Sequence, residues 1–170
     1  WYMEQVEVCN MSTGQTFTFP CSRWLSREEE TLELVLFPFV DGKLSGSLCT
    51  YRVDVYTSDV RFAGTDAGVS CKVFGELKGD PTQSVEKKLE SSKNDFERNK
   101  HDTFHLKLAD LGDIKGLWIG MDGKGPGPDW HLSHGEVTNM DTNARAFFRY
   151  GDWHNKGKKS VKLDAVAPGS

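Results

Sequence analysis

Apolar and polar positions alternate along most of this chain. CTYRVDVYT sets Tyr51, Val53 and Val55 against Arg52 and Asp54. GVSCKVFGE sets Val69, Cys71 and Val73 against Ser70 and Lys72, and TFHLKLA sets Phe104, Leu106 and Leu108 against His105 and Lys107. Successive side chains of a strand point to opposite faces, so a period of two predicts half-buried strands. GLWIGM, WHLSHGEVTNM, RAFFRY and SVKLDAV continue the series, separated by Gly, Pro, Asp and Asn. About eight strands in about 120 residues, broken by frequent turns, predict an all-β antiparallel sandwich or barrel. TQSVEKKLESS is the one helical candidate, and a polar edge strand or a short surface turn is its alternative.

The pattern repeats itself. WYMEQVEVCNMSTGQTFTFPCSRWL, from Trp1, aligns without a gap on WHLSHGEVTNMDTNARAFFRYGDWH, from Trp130, at an offset of 129 residues. Trp1, Glu7, Val8, Asn10 and Met11 meet Trp130, Glu136, Val137, Asn139 and Met140. Thr13, Phe19 and Trp24 meet Thr142, Phe148 and Trp153. Two tryptophans at one spacing are hard to produce by chance. The organisation expected is the tail of one repeat over 1–40, a Gly/Ser-rich linker DGKLSGS over 41–47, and one whole repeat over 48–168. The tail supplies about three strands, too few to be stable alone. It is expected to pack on a neighbour. A chain opening on Trp1 reads as a fragment of something longer.

Composition narrows the function classes. The 170 residues carry a formal net charge of −4, which gives no electrostatic reason to expect a nucleic-acid partner. No apolar run approaches the roughly 18 residues of a membrane span, and the opening residues do not read as a signal peptide. Cys9, Cys21, Cys49 and Cys71 form no C-x-x-C pair, so they read as buried, reduced thiols. There is no G-x-S-x-G, H-E-x-x-H or P-loop sequence. His131 and His134, three apart on an expected strand, should face opposite sides.

Calcium is the better chemical candidate, because it wants six to eight hard oxygens held on loops. Three loops offer them: Phe62-Ala63-Gly64-Thr65-Asp66, with Gly64 allowing a tight turn, then Asn94-Asp95-Phe96-Glu97, then Gly127-Pro128-Asp129-Trp130. Loops cluster at the ends of a sandwich, so these segments can converge. Each also has a plain structural alternative, such as Asp66 capping its own turn.

YRVDVYTSDVRFAGTDAGVSCKVFGE, NDFERNKHDTFHLKLADLGDIKGLWIGMD and GPGPDWHLSHGEV together resemble the PLAT domain, over about 48–168. The opening tail resembles the end of a preceding PLAT repeat, and tandem copies with short linkers are similar to multi-PLAT repeat proteins. The resemblance implies an eight-stranded sandwich of two four-stranded sheets. It implies a non-catalytic module that binds protein partners or membrane surfaces, often with calcium. Family calcium positions fall on the carbonyls of Phe62 and Gly64 and on the side chains of Asp66, Asn94, Asp95, Glu97 and Asp129. Ala67 departs from members that carry a second acid after the AGTD aspartate, which implies weaker binding. The loop tips also lack the tryptophans of membrane-binding members and offer only Val60 and Phe62.

Three functions follow as expectations. The first is a scaffold or adaptor bead that docks proteins, neighbouring repeats included, at a membrane–cytoskeleton boundary or in a cilium. The second is calcium-dependent attachment to a lipid surface. The third is the regulatory end of a lipoxygenase or lipase.

Overall fold

The computed structural model describes residues 1–26, 34–41 and 43–167. Part of the expected tail (27–33), Gly42 of the expected linker and Pro168 at the expected domain end lie outside the described residues. The chain divides into two compact units, Trp1–Leu48 and Cys49–Ser170. Every described regular element is a strand.

The first unit holds β1 (Tyr2–Cys9), β2 (Thr16–Trp24), β3 (Phe39–Val40) and β4 (Lys43–Leu44), in that order across one sheet. The short β3–β4 hairpin pairs Phe39 with Leu44 and Val40 with Lys43. It therefore uses Lys43 and Leu44 of the stretch read as a linker, which pair with the β-favouring Val40 and Phe39 just before it.

The second unit holds β5 (Leu48–Thr57), β6 (Val69–Leu77), β7 (Asp80–Gln83), β8 (Lys87–Leu89) and β9 (His101–Ala109). It continues with β10 (Asp113–Met121), β11 (Trp130–Asn139), β12 (Arg145–His154) and β13 (Ser160–Asp164). One sheet runs β12-β11-β5-β9 and the other β13-β10-β6, with β7 and β8 both along the free side of β6. The edge position is thus one broken strand, and the eight-stranded sandwich stands. Ser84 makes the break: its N–H donates to the Val73 carbonyl (2.8 Å) and its hydroxyl accepts from the Val73 N–H (2.9 Å). The side chain stands in for a ladder carbonyl while the backbone turns. TQSVEKKLESS is this polar edge and no helix.

Inward positions of both sheets form one core, including Tyr51, Val53, Val55, Val73, Leu117, Ile119, Leu132 and Phe148. The alternation read from the sequence is the cause: burial of such side chains yields roughly 1.5–3 kcal/mol each. The DLG turn closes one end. Asp110 accepts from the Gly112 N–H (2.9 Å), and the Leu111 N–H donates to the buried Tyr51 hydroxyl (2.9 Å). A Cβ on Gly75 would stand 2.2 Å from the Leu111 carbonyl oxygen, so this approach requires glycine.

Two expectations change. His131 and His134 lie on the same face, because a bulge between Leu132 and His134 inserts one extra residue and inverts the alternation. His134 then stacks on Tyr56 (4.0 Å between ring centroids), which stacks on His101 (4.3 Å). The cysteines are mixed: Cys49 and Cys71 are buried, Cys21 is half-buried and Cys9 is exposed. Burial pushes the Cys71 thiol up to about 12, so it is unreactive at neutral pH.

Candidate functional site

Three connections meet at one end of the second unit: β5–β6, β8–β9 and β10–β11. Thr65 binds them together. Its backbone N–H donates to the Phe96 carbonyl (3.2 Å), while its hydroxyl reaches the carbonyls of Gly127 (3.2 Å) and Pro128 (3.1 Å) and accepts from the Ala67 N–H (3.1 Å). The Asp66 N–H donates to the Gly127 carbonyl (3.0 Å), and the His131 N–H donates to the Ala63 carbonyl (3.0 Å). Gly64 lets the first loop lie on the second: a Cβ there would meet the Arg98 nitrogen and the Phe96 oxygen at 3.1 Å. Thr65→Val keeps the shape and removes the hydroxyl, leaving the buried Ala67 N–H without a partner. We expect a loss of about 1–3 kcal/mol, read by chemical unfolding.

Phe96 anchors the second loop. It adopts a left-handed backbone (φ 62°), donates its N–H to the Asp102 carboxylate (2.8 Å) and buries its ring edge-on to Trp130 (5.3 Å). Phe62 is its opposite: also left-handed (φ 63°), but 76% exposed at the tip, with Arg61 over its ring at 4.7 Å. A bulky residue held there costs on the order of 1–2 kcal/mol.

Of the predicted calcium positions, Asp66, Asn94 and Asp95 come together on one cleft of about 370 Å³. The cleft does not collect Phe62, Gly64, Glu97 or Asp129. Glu97 lines a neighbouring cleft of about 490 Å³ and accepts from the Asn94 amide (2.7 Å). Asp129 is exposed beside the carbonyls that hold Thr65. The cleft adds two acids that the sequence reading missed, Glu90 and Asp122. Asp122 was legible as the acid of a D-G turn closing an alternating strand. A backbone hydrogen bond from Lys124, and another from Gly68, hold its carboxyl below the usual range.

The chemistry of this donor set suits a hard cation: carboxylates and amide oxygens on loops, with no soft ligand needed. The carboxylates are partly engaged already. Asp95 accepts from the Ser91 N–H (2.7 Å) and hydroxyl (2.6 Å). Among the described residues no three His, Cys, Asp or Glu side chains stand close enough to hold a metal as they are. Asp66, Asn94 and Asp95 are the residues that would hold such a cation, with Asp122 and Glu90, the latter ion-paired to Lys88, on the same cleft.

The PLAT/LH2 domain family model matches residues 51–167. Lipoxygenase homology domain-containing protein 1 of Mus musculus is 34% identical over 161 residues, which cover 93% of this chain and 8% of that protein. Polycystin-1-like protein 3 of Mus musculus is 29% identical over 151 residues, covering 87% of this chain and 7% of that protein. The chain therefore spans under a tenth of the length of these curated relatives. Among solved structures, coral 8R-lipoxygenase superposes with a TM-score of 0.60 at 27% identity, over 68% of this chain and 17% of that one. Sandwich, loop motifs and family model agree: the chain belongs to the PLAT/LH2 domain family.

Proposed function

We propose that this chain is a non-catalytic docking bead of a multi-PLAT scaffold, and that its contact end is the loop cluster around Thr65, with a weak calcium site between Asp66 and Asp95. The observation that carries this is the convergence of Asp66, Asn94, Asp95, Glu90 and Asp122 on one cleft, on loops locked together from beneath. The coral lipoxygenase is described as activated by calcium through a C2-like domain, which supports a calcium-responsive role for a domain of this fold. Binding in an array gains from linkage, so each bead can be weak. A membrane–cytoskeleton boundary or a cilium is the setting this reading favours.

Thermal unfolding with millimolar calcium and then with chelator tests it. A ligand that binds only the native state adds about 2.7 kcal/mol at a hundredfold excess over Kd. We expect an upward shift that Asp66→Ala removes; equal transitions with and without calcium would refute the calcium site.

A second reading, attachment to a lipid surface, is favoured by one observation, the strained and exposed Phe62 beside exposed Val60. Two apolar tips give shallow insertion only. Phosphatidylserine vesicles should pellet the protein in calcium and release it on Phe62→Ala. Pelleting that ignores both calcium and Phe62 would remove this reading.

A further inference from the structure

The outer face of the sheet β12-β11-β5-β9 carries a band of rings. His101 of β9 stacks on Tyr56 of β5, with 4.3 Å between centroids and 3° between planes, and Tyr56 stacks on His134 of β11 at 4.0 Å. His134 meets Phe147 of β12 at 5.0 Å, and the Arg149 guanidinium stands 5.9 Å from the centre of the Phe147 ring. Neighbouring strands lie about 4.8 Å apart, so the band runs roughly 15 Å across the sheet. Tyr56, His134 and Phe147 are half-buried, while His101 and Arg149 are exposed.

The bulge at Ser133 completes this band by turning His134 outward. The preceding repeat keeps the bulge without the rings. Its Gln5↔Pro20 and Glu7↔Thr18 pairs occupy the places of His134↔Arg149 and Glu136↔Phe147. The register does not depend on a stack there, and the rings belong to this bead.

Charge is layered on the same face. Asp54 and Glu136 stand opposite each other on β5 and β11, and both are buried. Like charges directly across a strand pair repel, and neighbouring donors offset this. Asp54 accepts from Arg52 Nε (2.7 Å) and from the Thr103 hydroxyl (2.7 Å), and Glu136 accepts from Arg145. Arg145, Arg149 and Lys107 are exposed around them. A partner therefore meets cations and ring surfaces, with these two acids sunk beneath. Tyr, Phe and Arg are the residue types that anchor protein interfaces.

We propose that this face is a second contact surface of the bead, and that its partner is an acidic protein segment bearing aromatic side chains. Carboxylates of the segment extend the pattern that Asp54 and Glu136 already set beside the arginines, and reach Arg145 and Arg149. Its aromatic side chains stack on the band at Tyr56 and Phe147. A bulk polyanion suits the surface less, because the whole chain carries −4 and repels one at long range. The surface lies on strands and not on the loops of Asp66 and Asp95, so it and the calcium site can fail separately.

The probe is a labelled random copolymer of Glu and Tyr, beside a polyglutamate of equal length. Binding to the whole chain is read by fluorescence anisotropy in chelator, at about 0.15 M salt. We expect the copolymer to bind more tightly than polyglutamate. Arg149→Glu should weaken it on the order of 10-fold, the loss of one charge-assisted contact. Phe147→Ala should remove the preference for the copolymer. Lys162→Glu, on β13 of the opposed sheet, should change nothing. The unfolding transition is recorded for each variant, and the exposed Arg149 decides alone if Phe147→Ala loses the fold. A copolymer that does not bind, or that Arg149→Glu and Lys162→Glu weaken equally, overturns the proposal. So does tighter binding of phosphatidylserine vesicles or single-stranded DNA that Arg149→Glu abolishes, which would make the occupant a membrane or a nucleic acid.

Discussion

Trp130→Ala is expected to destabilise the second unit by about 3–5 kcal/mol, the range for a fully buried large aromatic. Trp130 is wholly buried, donates its indole N–H to Thr57 (2.9 Å) and packs on Phe96 and His154. Truncation leaves a cavity and an orphaned hydroxyl directly beneath the loop cluster. The transition should fall by on the order of 10–15 °C, and Phe96 should lose its packing partner. Trp130→Phe retains most of the volume and should lose much less. If Trp130→Ala unfolded at the native temperature, the core beneath the loops would not be what holds them.

Acid should act at the same place. His154 is fully buried, and neither of its ring nitrogens has a hydrogen-bond partner among the described residues. Burial pushes its pKa down to about 4 from an ordinary 6.5. Between those values the unfolded chain binds a proton that the folded chain does not, so stability rises with pH across the window. The contribution is complete above pH 6.5 and is lost as pH falls towards 4, for a total of about 3 kcal/mol. Burial lowers the pKa of His134 as well, and its effect has the same sign. Leu25 occupies the equivalent position in the first unit, so His154→Leu is the natural variant. We expect urea unfolding of the native chain to show the acid slope and His154→Leu to lose most of it. A slope that His154→Leu leaves unchanged would mean that other groups carry it.

Much of this was readable from the chain. Period-two alternation placed β5, β6 and β9 because alternate positions of each are the more deeply buried ones, the condition that makes register visible in sequence. The edge of β6 was ambiguous because a solvated strand has little apolar alternation, and because the Ser84 hydroxyl, a contact with no periodicity, makes its break. The bulge beside Ser133 was invisible for the same reason: one extra residue changes which face His134 uses, and nothing in the residue types announces it. At the candidate site, the sequence reading named the three loops, and Asp66, Asn94 and Asp95 of them line one cleft. It could not show that Asp95 is occupied by Ser91, that Asp129 stays outside the cleft, or that Glu90 and Asp122 lie on it. Those depend on which way loops fold over each other, which Thr65 and Gly64 decide. The repeat at 129 residues was the most informative single reading, since it carried through to hydrogen-bond register.

The central claim is that the loop cluster around Thr65 is the regulated contact end. Calcium titration of the isotope-labelled chain, followed through backbone amide shifts, tests it most directly. The account predicts saturable shifts confined to the loops carrying Asp66, Glu90–Glu97 and Asp122, with the Ser91 amide moving as Asp95 turns from it to the metal. Shifts absent there, or centred on any other part of the molecule, would contradict it.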